Sequence, residues 1–504
     1  MVKNISFYGW ICLWVLGTGC SGGSDEKESE GEALARQYCS SCHLYTPPDL
    51  LPRQVWRTSV LPQMGWLLGI KDSAVNPMKN LSWEDKIALQ KARVYPSKPL
   101  VAERDWQQIV DYILANAPEE FPDTTKKVTK AVAENFQFRS EKVFCNFPYL
   151  TMTRFDDKNK RVFVSSQRGE LAEWSQNTTE VKTRKVNSPA VDISFSQENP
   201  IVTLIGYMHP SEARRGSLLP LGNDGESSLI EELSRPVQSS FGDLTGNGLL
   251  DIAVCTFGNQ TGYFSWFEQT ADSEYVEHQL LARPGAIKSH MHDFNKDGKL
   301  DIVVLMAQGD EEIILFQNRG DGTFDPLSLA RFPAVYGSND LELADFNQDG
   351  FTDLVYSNGD NADHSIVPKP YHGIRIFLND QTNSFSEQFF YPMDGASGIT
   401  VADFDEDGDP DIAGIAYFAN FGRQDPEGFV ILENKGKLEF QPKTVPQTRE
   451  GHWLLIDKGD IDEDGDIDIL LGSNIFSVAP VPDSIKQIWA EKQHDLVILE
   501  NLLK

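Results

Sequence analysis

Residues 293–301 read Asp-Phe-Asn-Lys-Asp-Gly-Lys-Leu-Asp, and the apolar run Ile-Val-Val-Leu follows at 302–305. The pattern D-x-[DNT]-x-[DN]-G-x-x-D before such a run occurs five times, starting at 243, 293, 345, 403 and 460. Consecutive starts lie 50 to 58 residues apart. Self-similarity at that period marks stacked supersecondary units, either a propeller or a solenoid.

Oxygen-bearing side chains fill positions 1, 3, 5 and 9 of each nonapeptide. They are Asp243, Thr245, Asn247 and Asp251; Asp293, Asn295, Asp297 and Asp301; Asp345, Asn347, Asp349 and Asp353; Asp403, Asp405, Asp407 and Asp411; and Asp460, Asp462, Asp464 and Asp468. Hard oxygen donors at this spacing, with Gly at position 6 for the sharp turn, suit Ca²⁺. An EF-hand also needs Glu at position 12 and a helix on each side. Position 12 here is Val254, Val304, Tyr356, Gly414 or Leu471, and the flanks read as strands. The expectation is four to five calcium sites on β-hairpin loops. An Asp/Gly hairpin without metal is the competing reading, since Asp-Gly is itself a turn signal. The 243–251 loop carries only two acidic ligands and is the weakest of the five.

These loops resemble the FG-GAP (VCBS-type) repeats of integrin-like β-propellers, strongly over residues ~240–470. Apolar runs ending in Asn or Gln read as third strands: SWFEQ (265–269), ILFQN (314–318), VILEN (430–434) and VILEN (497–501), with IFLND (376–380) close to them. The roughly 100 residues before 240 have room for two more blades, with LAEWS (171–175) and LLPLG (218–222) as third strands. The fold class expected is therefore multidomain, a small all-α domain followed by an all-β seven-bladed propeller over 124–504. The chain stops just after its last third strand, so the outer strand of that blade is expected from 124–144, which would remove an exposed edge.

The all-α domain is read from Cys39-Ser40-Ser41-Cys42-His43, a C-x-x-C-H motif. In such a motif the two thiols, Cys39 and Cys42, attach one haem c covalently and His43 supplies the proximal iron ligand. The His directly after the second Cys argues against a redox C-x-x-C. No second C-x-x-C exists to complete a zinc ribbon. Residues 32–118 read as three helical stretches, GEALARQYCSSCHLY, RQVWRTSVLPQMGWLLG and DWQQIVDYILANAP. Their order resembles a class I cytochrome c, whose last helix packs on its first. Met64 and Met78 are the available sixth ligands. Met78 follows Pro77, 35 residues after His43. Met64 lies in W-x-x-x-V-L-P-x-M-G, which resembles cytochrome segments fused to such propellers and is preferred.

Residues 1–19 read as a signal peptide, with Lys3 and an apolar run from Phe7 to Leu16. Small residues before Cys20 resemble a lipobox, although Leu16 sits four places before the Cys rather than three. Cys20 would then carry the lipid, on the periplasmic or the cell-surface side of an outer membrane. Residues 20–31, Ser, Gly, Asp, Glu and Lys after the Cys, read as a solvated tether, and 119–135 as a linker into the closing strand. Cys145 and Cys255 lie in apolar runs and read as buried thiols rather than a disulfide. The net charge of −30 disfavours nucleic acid and anionic membrane surfaces as partners.

The first functional expectation is an electron-transfer protein and not an enzyme, with a redox partner protein or oxidoreductase and a glycan or surface ligand docked on the propeller. The second is a propeller-based oxidoreductase that passes substrate electrons to its own haem. Gln238, Lys288, His290, Asn339, Asp340, Ser397 and His452, near the starts of innermost strands, would form its ligand ring, and ordinary polarity at a channel mouth is the preferred reading of them. The third is a surface adhesin or scaffold.

Overall fold

The structure is a computed structural model that describes residues 29–504, except 73–74, 122–127, 145–148, 177–180, 223–226, 272–273, 362–364, 424–425 and 478. The signal and lipidation readings, Cys20 and Cys145 included, lie outside the described residues. No helix among the described residues is long and apolar enough to cross a membrane.

Helix α1 (Glu30–Cys39) starts earlier than its composition implies. Ser29 caps it, its Oγ accepting the Glu32 N–H at 3.2 Å. The tether reading of 20–31 is therefore corrected at its end: Ser29 with Glu32 forms the S-x-x-E signature that opens a helix. Two short helices follow, α2 (Arg53–Val55) and α3 (Leu61–Leu67), joined by a π-turn over Trp56–Val60. Pro62 lacks an N–H and its ring crowds the preceding turn, and the wider π-turn accommodates it. Helix α4 (Trp83–Ala92) was not legible as a helix, because it buries only Asp85 and Leu89 and shows no apolar stripe. Helix α5 (Glu103–Asn116) packs Ile109 and Ile113 against Ala35 of α1, with Leu51, Trp56, Val60 and Leu61 around them. Helices α1 and α5 cross at Gly31, where an added Cβ would lie 2.7 Å from the Gln108 carbonyl oxygen and from Tyr112 Cβ.

The remainder is a seven-bladed propeller. Strand β1 (Ala131–Val132) and strand β2 (Phe136–Glu141) come first in the chain and join blades formed by its end. Blade one contains β3 (Leu150–Asp156), β4 (Arg161–Ser166), β5 (Glu170–Trp174) and β6 (Lys182–Lys185). Blade two contains β7 (Ala190–Ser194), β8 (Ile201–Leu204), β9 (Arg214–Pro220) and β10 (Ile230–Ser234). Blade three contains β11 (Pro236–Gly242), β12 (Asp251–Thr256), β13 (Tyr263–Ala271) and β14 (Glu274–Leu281). Blade four contains β15 (Ala286–His292), β16 (Asp301–Met306), β17 (Glu311–Asn318) and β18 (Phe324–Phe332). Blade five contains β19 (Ser338–Ala344), β20 (Asp353–Asn358), β21 (Gly373–Asn379) and β22 (Phe385–Pro392). Blade six contains β23 (Ala396–Ala402), β24 (Asp411–Ala416), β25 (Phe429–Asn434) and β26 (Phe440–Thr444), with β1 added parallel to β26. Blade seven contains β27 (Trp453–Gly459), β28 (Asp468–Ser473) and β29 (Leu496–Asn501), preceded by an inserted helix, α6 (Asp483–Lys492).

Strand β2 completes blade seven, pairing antiparallel with β29 from Phe136↔Asn501 to Glu141↔Leu496. The expected closure of chain start on chain end is present, and it satisfies an edge that would otherwise expose unpaired backbone groups. Second strands are buried on both faces, as in β12, β16, β20, β24 and β28, because each blade packs against two neighbours. The core is accordingly a set of inter-blade layers. One joins Phe404 of blade six to Ile469 and Val497 of blade seven and to Phe136 of the closing strand.

Each Asp loop connects a first strand to a second, so all five lie on one face. The second-to-third connections lie on the opposite face, and there the helical unit docks. Asp85 of α4 accepts hydrogen bonds from Ser211 Oγ at 2.8 Å and from the Glu212 backbone N–H at 2.6 Å. The Tyr371 hydroxyl donates to the Leu50 carbonyl at 2.8 Å, and Val335 packs on the helical core.

Candidate functional site

The C-x-x-C-H segment begins where α1 ends. Cys39 closes the helix, Ser40 is its C-cap, and the chain turns with the Cys42 N–H directed to the Cys39 carbonyl at 3.5 Å. Ser41 Oγ donates to the Tyr38 carbonyl at 2.6 Å. Both thiols are unbonded, and Cys42 is exposed. His43 Nδ1 lies 2.8 Å from the Leu44 carbonyl. A carbonyl only accepts, so Nδ1 carries a proton, and in the neutral ring this leaves the Nε2 lone pair for a metal. Two free thiols and an oriented imidazole within five residues fit one haem c. Met64, on α3, is half-buried and packs on the core shared by α1 and α5. Met78 lies in a surface turn, its N–H bonded to Asn76 Oδ1 at 2.9 Å.

The Asp loops share one hydrogen-bond plan. Asp243, Asp293, Asp345, Asp403 and Asp460 each accept the N–H of the position-6 glycine, at 2.8, 2.8, 2.7, 2.9 and 3.3 Å. That glycine has φ between +81° and +97° in all five loops, a left-handed turn that a side chain would strain. The position-9 carboxylate has a role that the ligand pattern did not anticipate. Each one is fully buried and clamps two backbone N–H groups. One belongs to position 2 of its own loop and the other to the third strand of its blade. In blade four, Asp301 accepts from Phe294 N at 3.1 Å and from Asn318 N at 2.8 Å. In blade seven, Asp468 accepts from Ile461 N at 2.9 Å and from Asn501 N at 2.8 Å. The Asn that ends those third strands is thus explained: Asn318 Nδ2 reaches the Leu244 carbonyl of the previous blade at 2.7 Å, and Asn501 Nδ2 reaches the Phe404 carbonyl at 2.9 Å.

The loops differ in how they gather charge. Single oxygens of Asp403, Asp405 and Asp411 lie within 4.8 Å of one another, as do those of Asp460, Asp462 and Asp464. Burial pushes Asp411 and Asp468 up to about 7; backbone N–H donors oppose the rise, and the neighbouring carboxylates add to it. In the 293 and 345 loops amide oxygens replace one acid. Asn295 and Asn347 there accept the N–H groups of Asp297 and Asp349, at 3.0 and 3.1 Å. In the 243 loop Asn247 accepts from Leu249 N at 2.7 Å. Thr245 Oγ1 is buried with no hydrogen-bond partner. The 403 and 460 loops have the donor set that best fits a divalent cation.

The seven residues near the innermost strands are placed as bolts between and within blades rather than as an open ring. Gln238 Oε1 accepts from Ser289 N and Oγ at 3.0 and 2.9 Å. Lys288 pairs with Asp340 and Glu342 at 3.1 and 3.0 Å, and His290 Nε2 donates to the Leu341 carbonyl at 2.7 Å. Asn339 Nδ2 donates to the Ala396 carbonyl at 2.9 Å, and Asp340 accepts from Ile399 N at 3.1 Å. Ser397 Oγ accepts from Tyr417 N at 2.8 Å. His452 is buried between Tyr417 and Trp489 of α6, its ring centroid 4.2 and 4.5 Å from theirs, and burial pulls it down to about 4. The inserted helix α6 therefore covers His452, which sequence alone placed at a channel mouth. Cys255 is buried as expected, and burial pushes its thiol up to about 12.

Residues 293–356 match the FG-GAP-like repeat. That segment contains two of the five Asp loops, strands β16 to β18 of blade four and β19 with the start of β20 in blade five. Among curated proteins, cartilage acidic protein 1 of Xenopus tropicalis is 34% identical over 182 residues, covering 33% of this chain and 26% of that protein. Cartilage acidic protein 1 of Homo sapiens is 38% identical over 96 residues, covering 18% of this chain and 14% of that protein. The chain thus spans about a quarter or less of the length of these relatives. Among solved structures, the Neurospora crassa Pan2 WD40 domain aligns over 75% of this chain and 98% of its own, at 12% identity and a TM-score of 0.46. The N-terminal domain of Nup159 aligns over 74% of this chain at 11% identity and a TM-score of 0.43.

The site residues that sequence reasoning missed are those joining the two units. Asp85 and Ser211 lie 126 residues apart in the chain, and neither carries a motif. Gly31 also gave no signal, since its role is set by the approach of α5.

Proposed function

We propose that this protein is an exported haem c electron-transfer protein, anchored through a lipid on Cys20 at the periplasmic or cell-surface side of an outer membrane. The propeller is a platform that can bind partners, and in this reading it docks a redox partner protein or a surface ligand such as a glycan. The observation that carries the proposal is the Cys39/Cys42 pair at the end of α1, next to a His43 whose Nδ1 is held by the Leu44 carbonyl. When bound, haem c supplies reversible one-electron exchange at its iron. Cys39 and Cys42 would hold it by thioether bonds and His43 would ligate its iron. Met64, which packs against the helical core, would be the preferred second iron ligand, and Met78 the alternative. Asp403, Asp405 and Asp411, and Asp460, Asp462 and Asp464, would hold Ca²⁺, whose charge would offset theirs and add folding free energy.

The bonds from Asp85 to Ser211 and Glu212 support a fixed placement of the helical unit on the propeller, which lets a partner that docks on the propeller meet the haem in one orientation. The oxidoreductase alternative loses its proposed ring, whose members are engaged in structural hydrogen bonds. A secreted scaffold is the second reading, favoured by the partial match to cartilage acidic protein 1.

The test is the visible spectrum of the exported protein, oxidised and reduced, with and without carbon monoxide. A weak band near ~695 nm that disappears in Met64→Ala and with carbon monoxide supports an electron carrier with His/Met ligation. Ready carbon monoxide binding without that band means an open iron site and contradicts the carrier reading. A protein that matures without haem and still binds its surface partner favours the scaffold.

A further inference from the structure

On the face where the helical unit docks, a cavity of about 460 Å³ opens between blades five and six. Its walls come from the β20–β21 connection, the β22–β23 turn, the β24–β25 and β26–β27 connections and residues 128–130 ahead of β1. Four cationic side chains, Lys130, Lys369, Arg423 and Arg449, line it against two carboxylates, Asp394 and Glu427. In a chain of net charge −30 that local excess of two positive charges is against the trend. Charges of both signs are engaged with neighbours here, and Lys369 Nζ donates to Asn361 Oδ1. Lys130 Nζ pairs with Glu427 at 2.6 Å, the Tyr391 hydroxyl donates to Glu427 at 2.7 Å, and Arg423 Nε lies 3.4 Å from Asp394.

The second observation is His372. This residue lines the cavity and is 1% exposed, and neither of its ring nitrogens has a hydrogen-bond partner. Its backbone is fixed at both groups, its N–H bonded to the Lys369 carbonyl and its carbonyl to Met393 N, each at 3.1 Å. A buried polar group without a partner is costly, and a ligand that supplies the missing bonds removes that cost. Burial, with Lys369 and Arg375 close by, holds the ring well below its ordinary value, so it is neutral, with one donor and one acceptor nitrogen. A hydroxyl group has the matching pair. A cavity of this volume suits a small molecule.

We propose that this cavity binds a hydroxylated organic anion, a sugar-sized molecule bearing a carboxylate or a phosphate. The cationic side chains take the anionic group and His372 takes a hydroxyl. The neighbouring Tyr371 bonds the Leu50 carbonyl of the helical unit, so an occupied cavity lies beside the docked helices. The site does not depend on the haem reading.

The test is calorimetric titration of the full-length protein with D-glucuronate, D-glucose 6-phosphate, inorganic phosphate and D-glucose. The expected result is binding of at least one of the two hydroxylated anions, with D-glucose and inorganic phosphate each at least about 10-fold weaker. Which anion binds distinguishes a carboxylate from a phosphate ligand. Arg423→Gln, at the rim, and His372→Phe each weaken that binding by about 10-fold or more, with unchanged circular dichroism. The proposal is overturned if neither hydroxylated anion binds at about 10 mM, or if D-glucose or inorganic phosphate binds as well as they do. Parent-like binding by Arg423→Gln overturns it too, whether or not the His372 variant folds.

Discussion

The Asp85 carboxylate of α4 accepts the Ser211 hydroxyl at 2.8 Å, joining the helical unit to the second blade of the propeller. The same carboxylate accepts the Glu212 N–H and the Ser82 hydroxyl, and Ser82, the N-cap of α4, accepts Asp85 N through its Oγ at 3.0 Å. Burial works against its charge, but the bonds from Ser82, Glu212 and Ser211 together hold it below its ordinary 3.8. A depressed carboxyl contributes stability that is present above the unfolded value and is lost as pH falls through the folded one. The junction should therefore be tight at pH 5–8 and loosen below about pH 4. Asp85→Ala should cost about 1–3 kcal/mol, read as faster amide exchange in α4 and the 205–213 connection. Unchanged exchange there would mean that the contact does not hold the two units together.

Gly31 allows α1 and α5 to cross closely. Gly31→Leu drives a Cβ into the Gln108 carbonyl, and the helices must separate. Overpacking of this kind costs about 1–3 kcal/mol and should lower the melting temperature of the helical unit. Gln37→Leu, on the exposed side of α1, is the control and should leave it nearly unchanged.

Calcium should stabilise the propeller through the loops that gather three carboxylates. A cation at 100 times its dissociation constant adds about 2.7 kcal/mol per site. Chelation should lower the melting temperature, and Asp405→Asn with Asp462→Asn should remove most of that calcium response. Equal melting temperatures with calcium and with chelator would leave the loops as metal-free hairpins.

The closing strand should be as necessary as any blade. Phe136 is buried and meets Phe404 edge-on, with centroids 6.3 Å apart. Phe136→Ala should cost about 3–5 kcal/mol, seen as one cooperative loss of β structure on denaturant titration. A separate early transition confined to blade seven would show that closure is local.

The blade count, the third strands and the closure by 136–141 were legible because the Asp loops recur with fixed spacing and each sets the register of a hairpin. Helix α5 was legible from its apolar residues at 106, 109, 110, 113 and 114. The start of α1 was not, because Ser, Glu and Gly read as a solvated tail until Ser29 is seen capping Glu32. Helices α4 and α6 were missed because each buries few side chains, on a surface supplied by distant residues. His452 shows the same limit: its position before β27 suggested a ligand ring, and only the inserted α6 reveals that Trp489 covers it. The clamp made by Asp301 and Asp468 was hidden behind the same letter that signals a cation ligand.

The central claim is that Cys39 and Cys42 carry a covalent haem. The most direct measurement is the intact mass and the visible spectrum of the denatured protein, produced in cells that attach c-type haem. The account predicts a chain heavier by one haem, with the chromophore retained after denaturation and lost in the Cys39→Ala/Cys42→Ala variant. A mass equal to the bare polypeptide, or a chromophore that leaves on denaturation, would contradict it.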